Sequence, residues 1–377
     1  MVSPCLTING TSITYTPGLT ILEVARANAI RIPTLCHLKG ATPTGACRIC
    51  VVEVAGARTL LAACSTPAAE GMVVQTDSPK VVAARKMVLA LMLSSGNHNC
   101  ATANEGATGD WTGFQLQVQE ADTSSDLCPV WGDCKLQSLA YEYQVTGSRF
   151  DPNGQNYPQE LVNPLIVRDF SRCILCGRCV QACNEVQVNR AISFGYRGAE
   201  AKIVAAGDRP LAESDCVFCG ECVQACPVGA LVEKKARHKW RPWKTEKIRS
   251  TCPYCGVGCQ QWLHVQDGKI VKVTGVEDAE PNRGRLCVKG RFGYDFIYAE
   301  DRLTTPLIKD NGKFREASWD EALDLVADRF KKIIAESGPD ALAGVSCARS
   351  INEDSYNMQK LFRAVLRTNN IDHCART

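Results

Sequence analysis

The chain has 377 residues and 22 cysteines, and its 43 lysines and arginines nearly balance 40 aspartates and glutamates, leaving a formal net charge of +3. This balance argues against a nucleic-acid-binding protein, and no apolar run approaches the ~20 residues of a membrane-spanning helix. The first residues lack the basic and apolar regions of a secretion signal, so we expect a cytoplasmic protein. In that reducing compartment, such a cysteine content indicates metal binding rather than disulfides.

The N-terminal region begins with a predicted β-hairpin and a helix. Residues 6–15, LTINGTSITY, alternate in polarity around Asn9-Gly10, a strong turn signal. Thr20 and Glu23 have the T-x-x-E spacing of a capping box for a helix over residues 20–29. A strand is predicted at residues 51–54, behind the inner pair of a group spaced C-x10-C-x2-C-x13-C: Cys36, Cys47, Cys50 and Cys64.

Together these elements resemble the β-grasp ferredoxin domain at the N-terminus of complex I 75-kDa subunits, [FeFe] hydrogenases and large formate dehydrogenases. The resemblance implies a domain over residues 1–78 in which the four cysteines bind one [2Fe–2S] cluster. Gly45 and Ala46 are expected to let backbone amides approach the sulfur atoms. The loop is also long enough for a structural zinc site, which is the alternative.

A second ligand group is expected in residues 79–150. Apolar positions over residues 80–94 predict a partly buried helix, and after it come His98, Cys100, Cys128 and Cys134. The same families bind a [4Fe–4S] cluster here, usually through H-x3-C-x2-C-x5-C, and the resemblance implies that these four residues are its ligands. The sequence departs from that pattern in the short His98 to Cys100 step and in the insertion before Cys128. An ordinary loop histidine is the alternative for His98.

Residues 160–235 contain two cysteine runs with the spacing C-x2-C-x2-C-x3-C. This is the pattern of two-cluster bacterial ferredoxins, in which the fourth cysteine of each run binds the other cluster. The first predicted [4Fe–4S] cluster is therefore held by Cys173, Cys176, Cys179 and Cys226. The second is held by Cys216, Cys219, Cys222 and Cys183. Paired zinc knuckles, the alternative, would leave a third thiol of each run unused.

Two segments of linker composition flank this region. Residues 151–164 are rich in proline and glycine. Residues 234–249, KKARHKWRPWKTEKIR, concentrate basic charge. We interpret the basic run as a solvated interdomain linker, with nucleic-acid binding as the alternative.

A further domain is expected over residues 248–304. Its cysteines are spaced C-x2-C-x3-C-x27-C and are Cys252, Cys255, Cys259 and Cys287. With the following Val288-Lys289-Gly290, they resemble the [4Fe–4S] domain of the molybdenum or tungsten bis-pterin oxidoreductases. The resemblance implies a fourth [4Fe–4S] cluster here, and it implies that Lys289 lies between cluster and pterin as an electron relay. A surface lysine is the alternative.

Residues 305–377 predict the start of an α/β molybdopterin oxidoreductase domain. Ser318 and Glu321 form a predicted capping box for a helix over residues 319–336 that ends at Gly338. A buried strand is predicted over residues 341–345 and a second helix over residues 352–367. The final residues, RTNNIDHCART, resemble formate dehydrogenases, in which a metal-bound cysteine or selenocysteine comes next. We therefore expect a UGA codon, read as selenocysteine, after Thr377, with a deliberate truncation or a true relay subunit as the alternatives.

The full pattern predicts an α+β multidomain protein with one [2Fe–2S] and four [4Fe–4S] clusters. The resemblance implies the electron-relay part of a formate dehydrogenase large subunit, inactive as this chain alone, with a Mo or W bis-pyranopterin guanine dinucleotide only in the full-length protein. Implied partners are a flavin- and NAD(P)-binding diaphorase-type subunit, a hydrogenase or a ferredoxin, in a hetero-oligomer. The alternatives are a non-enzymatic relay subunit and a subunit related to NADH dehydrogenase or [FeFe] hydrogenase.

Overall fold

The computed structural model describes residues 3–95, 98, 128–145, 150 and 157–374. The chain divides into two compact units, one of residues 1–246 and 265–272, the other of residues 247–264 and 273–377. The predicted ligand Cys100 lies outside the described residues, as do residues 151–156 of the predicted linker.

A five-stranded sheet forms the N-terminal part of the first unit. β1 (Cys5–Ile8) and β2 (Thr11–Thr14) form the predicted hairpin, and Asn9 and Gly10 have the positive φ values of 51° and 83° that its turn requires. The other strands are β3 (Val51–Val54), β4 (Leu61–Ala62) and β5 (Val73–Gln75). The sheet order is β2-β1-β5-β3-β4, with β1 and β5 parallel.

Helix α1 (Ile21–Ala27) buries Ile21 and Leu22 in the core of this sheet. Its start confirms the predicted capping box. Glu23 N donates to Thr20 Oγ1 at 3.3 Å, and Thr20 N donates to the Glu23 carboxylate at 2.8 Å. The helix ends before the predicted residue 29 because Ala29 has a left-handed φ of 56°.

Helices α2 (Pro79–Ser94) and α3 (Lys135–Glu142) continue the first unit. Ser78 caps α2 by accepting from Val81 N at 3.4 Å. The two helices share a core with the loop that carries the first cysteines, through Leu35, Ile49, Leu89, Leu93, Leu136 and Leu139. The first and second cysteine regions therefore pack directly against each other.

Two antiparallel strand pairs surround the two cysteine runs. β6 (Ile166–Arg168) pairs with β9 (Leu231–Glu233) and joins the start of the segment to its end. β7 (Ile192–Gly195) and β8 (Lys202–Ala205) form a hairpin between the runs. The one-turn helices α4 (Arg178–Gln181) and α5 (Glu221–Ala225) each carry the third cysteine of a run.

The prediction that residues 234–249 are a solvated linker is wrong in its middle. Trp240 and Arg241 are buried, with exposed fractions of 5% and 1%. Arg241 Nη1 donates to the carbonyl of Cys128 at 3.0 Å. The basic character of the run misleads here because a guanidinium can be buried where it satisfies a backbone carbonyl.

The segment that follows forms the sheet β10-β11-β12, from β10 (Glu246–Thr251), β11 (Gln260–Gln266) and β12 (Lys269–Gly275). In the second unit, the short helix α6 (Val288–Phe292) comes next. A hairpin of β13 (Leu307–Asp310) and β14 (Lys313–Glu316) follows it.

The end of the second unit is the predicted start of an α/β fold. Helix α7 (Trp319–Ser337) precedes β15 (Gly344–Ser346), helix α8 (Asn352–Lys360) and β16 (Ile371–His373). β15 and β16 pair in parallel with α8 between them. After Lys360 the helix widens into a π-helical turn and stops at Arg367, whose φ is 62°.

Two predictions for this region need correction. Ser318 caps α7, but the Glu321 carboxylate bonds Arg315 at 2.5 Å, so only the Ser318 half of the capping box forms in the described contacts. The predicted buried strand is a shorter strand with Val345 76% exposed. Met358 and Phe362, from the helical segment between the two strands, cover Gly344 on one side of the described two-stranded sheet. Val345 points to the other side, which is exposed.

Candidate metal centres

The first candidate centre is a group of four buried thiols at the N-terminal sheet. None of Cys36, Cys47, Cys50 and Cys64 is more than 6% exposed. Cys50 directly precedes β3 and Cys64 follows β4, so the sheet positions two thiols while the loop after α1 supplies the others. Cys36 N lies 3.4 Å from Cys47 Sγ, and Cys47 N lies 3.4 Å from Cys36 Sγ.

Hydrogen bonds among these thiols change their pKa values in opposite directions. Bonds from Cys47 and Cys64 lower the pKa of Cys36, and a bond from Cys64 lowers the pKa of Cys50 to about 7. The same contacts raise the pKa of Cys47 and of Cys64. Four buried thiols in mutual contact match the type of donor that a thiolate-bound metal centre needs, and their role as ligands stays a prediction.

A buried arginine fixes the cysteine loop to the two helices. Arg85, on α2, is fully buried, and it donates to the carbonyls of Ile49 at 3.0 Å and Val51 at 2.9 Å, on either side of the third cysteine. Its Nη1 also bonds Asp77 at 2.9 Å and the Tyr143 hydroxyl at 2.8 Å. The guanidinium therefore fixes the loop backbone on both sides of Cys50.

Gly45 has a geometric role in the same loop. Its φ of 62° is left-handed, and a Cβ there would lie 3.1 Å from Ser65 Oγ. The amides of Cys36 and Cys47 contact sulfur atoms in this loop, and the expected approach of the Gly45 and Ala46 amides stays a prediction.

The two ferredoxin-type runs have the same local geometry. Leu175 and Phe218, each two residues after the first cysteine of a run, have φ values of 51° and 53°. Their N–H groups lie 3.4 Å from the Sγ atoms of Cys173 and Cys216. The glycine after each second cysteine also has a positive φ, 75° in one run and 76° in the other. The sequence repeat is therefore a structural repeat.

The fourth cysteine of each run faces the opposite run. Burial raises the pKa of Cys173 to about 11 and of Cys176 to about 12, and Cys226 adds to both shifts. Among the charges that act on Cys222, its own predicted group comes first: Cys219, Cys216 and Cys183. The structure thus brings together the thiols that the sequence assigns to each cluster, while the iron ligation itself stays a prediction.

An apolar cavity lies against the first of these groups. It measures about 40 Å³, and its walls include Cys173, Cys176, Cys179 and Cys226. Ile192, Ile203, Leu211 and Val228 supply apolar walls. Thiols around an apolar space fit an iron–sulfur cluster, whose potential depends on burial.

Asn184 and Pro227 give the two runs different ends. After the first run, the helix continues into a π-helical turn over residues 182–186 that includes Asn184. After the second, α5 stops and Cys226 is extended, with ψ of 122°. A residue before proline avoids helical ψ, so Pro227 explains the difference.

The second candidate centre lies at the start of α3. His98, Cys128 and Cys134 line one cavity together with Arg172. Burial, followed by the nearby Arg172, lowers the pKa of His98 to about 4, so its imidazole is neutral at neutral pH, the form that binds metals. The structure therefore brings together the described members of this predicted ligand group.

The last candidate centre belongs to the second unit. Its four thiols interact with one another electrostatically, although Cys287, the N-cap of α6, is exposed. Cys252 N donates to the Cys259 carbonyl at 2.8 Å. Gly290 leaves room for this group, since a Cβ there would lie 3.3 Å from Cys252 Sγ.

Lys289 is an exposed residue on α6. Its Nζ lies 5.8 Å from the centre of the Tyr254 ring, and its charge acts on Cys252 to lower a thiol pKa that burial raises. The lysine is thus within electrostatic range of the fourth thiol group. In the described ranges, no three His, Cys, Asp or Glu side chains are placed to hold a single metal ion.

Four family models match successive parts of the chain. Residues 5–79 match a 2Fe-2S iron-sulfur cluster binding domain and residues 172–230 a 4Fe-4S dicluster domain. Residues 245–299 match the molybdopterin oxidoreductase Fe4S4 domain, and residues 302–377 match molybdopterin oxidoreductase.

Curated relatives match over 98% of the chain. The alpha subunit of an NADPH-Fe(3+) oxidoreductase from Geobacter sulfurreducens is 37% identical, and a subunit of an NADH-quinone oxidoreductase from Rhizobium meliloti is 35% identical. A Staphylococcus haemolyticus protein named "putative formate dehydrogenase" is 31% identical. The chain spans 40%, 40% and 39% of these relatives.

A solved structure of an NAD+-reducing [NiFe]-hydrogenase in the H2-reduced state contains a chain that is 31% identical, with a TM-score of 0.52. The match covers 64% of our chain and 91% of that chain. The chain is therefore built from iron–sulfur domains followed by the start of a molybdopterin oxidoreductase domain. These matches confirm the predicted multidomain α+β architecture, with 2Fe-2S, 4Fe-4S dicluster, Fe4S4 and initial molybdopterin domains.

In the part of the chain that the structure describes, no helix has the length and apolar character needed to cross a membrane.

The buried arginines near the candidate centres were not predicted from the sequence. The burial of Arg85 could have been predicted, because it lies four residues from both Val81 and Leu89 on the buried face of α2. No feature of the sequence distinguishes Arg172 and Arg241 from ordinary surface arginines.

Proposed function

We propose that this chain is the electron-relay portion of a formate dehydrogenase, which oxidises formate to CO2. The observation that supports this most is the convergence of cysteine thiols into separate groups in a chain that continues into a molybdopterin oxidoreductase domain. A row of such centres suits stepwise electron transfer between a catalytic domain and a partner.

The proposed ligands follow the sequence prediction. Cys36, Cys47, Cys50 and Cys64 hold the [2Fe–2S] cluster, and the ferredoxin-type, His98 and Cys252 groups hold [4Fe–4S] clusters. When bound, these clusters accept and release single electrons. The protein's part is to hold the thiols in place, through backbone N–H contacts to sulfur and through buried arginines that bond the neighbouring carbonyls.

Lys289 is proposed to act at the exit of the catalytic domain. Its positive charge, next to the Cys252 group, stabilises negative charge that arrives there. A Mo or W bis-pyranopterin guanine dinucleotide, held by a longer protein, is the proposed source of electrons. The proposed partner is a flavin subunit that uses NAD(P), a hydrogenase or a ferredoxin.

A second function is favoured by the curated relatives. The NADPH-Fe(3+) and NADH-quinone oxidoreductase subunits are 37% and 35% identical, above the 31% of the formate dehydrogenase-like protein. On this reading, the chain relays electrons from NAD(P)H and acts on no formate. The two functions differ in which compound reduces the centres.

The experiment uses the protein purified anaerobically from its native cells. Iron analysis should find about 18 iron atoms for each copy of the chain, from one [2Fe–2S] and four [4Fe–4S] clusters. Formate should then reduce these centres, seen as new EPR signals. Reduction by NADPH or NADH but not by formate would replace the formate proposal with the second function, and zinc in place of iron would contradict both.

His98→Ala tests the unusual ligand group separately. Loss of one neutral imidazole should change the reduction potential or the occupancy of one [4Fe–4S] cluster and leave the others intact. His238→Ala is a matched control, since that histidine lies outside the proposed ligand groups. Unchanged iron content and EPR spectra in His98→Ala would make His98 a loop residue.

A further inference from the structure

Two cysteines outside the proposed cluster groups lie side by side in the second unit. Cys347 and Cys374 directly follow the parallel strands β15 and β16, and they continue the register that pairs Ser346 with His373. Their Sγ atoms are 3.2 Å apart. Neighbouring positions in register on paired strands are within the Cα separation that a disulfide can bridge.

The surroundings of Cys347 favour its thiolate. The N–H of Arg349 lies 3.3 Å from Cys347 Sγ, and Cys374 forms a second contact. Both contacts, with the charge of Arg349, lower the pKa of Cys347. A thiolate beside a second thiol is the arrangement of a thiol–disulfide exchange site.

A disulfide between these two cysteines would link two neighbouring strands of the second unit. Both cysteines lie beyond the carboxyl ends of parallel strands, the edge where α/β domains bind ligands. The residues between them include all of α8. A bond between the two sulfur atoms would therefore close this βαβ unit covalently at its ligand-binding edge.

We propose that Cys347 and Cys374 are a redox-active pair that closes to a disulfide by exchange with a small-molecule disulfide. The Cys347 thiolate attacks one sulfur of the small disulfide, which breaks its S–S bond, forms a mixed disulfide and releases one small thiolate. The Cys374 thiolate then attacks Cys347 Sγ and releases the second. The two protein thiols lose two electrons and two protons, and the small disulfide is reduced to two thiols.

This proposal is independent of the function proposed above, because neither cysteine belongs to a cluster group. A disulfide in a reducing compartment is typically transient and redox-sensing, which fits a pair that opens and closes. The pair would respond to the thiol–disulfide balance at this edge of the βαβ unit.

The test is a redox titration of the protein, purified anaerobically from its native cells, in mixtures of reduced and oxidised glutathione. Free thiols are trapped with iodoacetamide, and peptides are mapped by mass spectrometry. The expected result is one two-electron transition that converts alkylated Cys347 and Cys374 into a linked peptide pair. Full alkylation of both at the most oxidising mixture would overturn the proposal.

Serine variants of the same protein separate this pair from adventitious oxidation. In Cys347→Ser, Cys374 should form no intramolecular bond and should instead carry glutathione, and Cys374→Ser should give the converse. Cys5→Ser is the matched control, because Cys5 contacts Ser12 Oγ at 2.9 Å, and it should leave the transition unchanged. Iron content should stay constant in all three. A linked peptide that joins Cys347 or Cys374 to any other cysteine, or iron loss in the two pair variants but not in Cys5→Ser, would also contradict the proposal.

Discussion

The first and last candidate centres differ in how far solvent reaches their thiols. In the N-terminal sheet, four thiols are almost fully buried and hydrogen bond to one another. In the second unit, the Cys252 group includes the exposed Cys287 and lies beside the exposed Lys289. A buried thiolate group needs fixed internal partners, whereas an exposed one is stabilised by water and by mobile charges.

Arg85 shows what the buried surroundings require. Its guanidinium satisfies backbone carbonyls of the first cysteine loop and carries a charge where water does not reach. Lys289, in contrast, acts on Cys252 from the surface. The same sign of charge is thus buried and bonded to the backbone in the first centre, and exposed beside the thiols in the last.

The largest expected effect is that of Arg85→Met. The substitution leaves the Ile49 and Val51 carbonyls buried without their donor, so the free energy of unfolding should fall by about 3–5 kcal/mol. The [2Fe–2S] cluster should be lost first on heating, measured by its visible circular dichroism. Arg31→Met is the control, because Arg31 is an exposed arginine paired with Glu142 and should contribute under ~1 kcal/mol. Equal effects of the two substitutions would contradict the comparison.

Iron removal should sharpen the contrast. With a ferrous chelator and iodoacetamide present together, Cys287 should be alkylated several-fold faster than Cys36, because solvent reaches the exposed ligand first. Peptide mapping over time measures both rates in one sample. Faster alkylation of Cys36 would mean that burial does not protect the first centre.

Local patterns in the sequence predicted the features that depend on residues close together in the chain. The Asn9-Gly10 turn, the Thr20 cap and the shared local geometry of the two ferredoxin-type runs all follow from spacing and backbone preference. The path of Arg241 into the core and the bond from Glu321 to Arg315 depend on tertiary contacts, which charge patterns along the chain do not encode. Neither Cys347 nor Cys374 has a cysteine motif, and strand register alone brings them together.

Lys289→Ala should affect function without affecting folding. Lys289 is exposed, so the melting temperature should stay within the range of ordinary surface substitutions. In the complete enzyme, reduction of the clusters by its substrate should slow, because a charge near the Cys252 group is lost. Stopped-flow absorbance measures this rate, and Lys269→Ala is the control. An unchanged rate would mean that Lys289 has no role in electron transfer.

The smallest expected effect concerns the helix caps of the two regions. Hydrogen bonds from Thr20 lower the pKa of Glu23, so its folded pKa lies below the unfolded value of 4.5. The stabilisation is therefore fully present above pH 4.5 and is lost as pH falls through the folded pKa. Glu23→Gln should lower stability by under ~1 kcal/mol, equally at pH 7 and pH 5.5. Glu321→Gln is the matched variant, because its pKa is lowered by Arg315 rather than by a cap. Added salt should remove the effect of Glu321→Gln, which is a surface ion pair, and leave that of Glu23→Gln, which is a hydrogen-bonded cap. If salt removed both effects equally, the capping box would act only through charge.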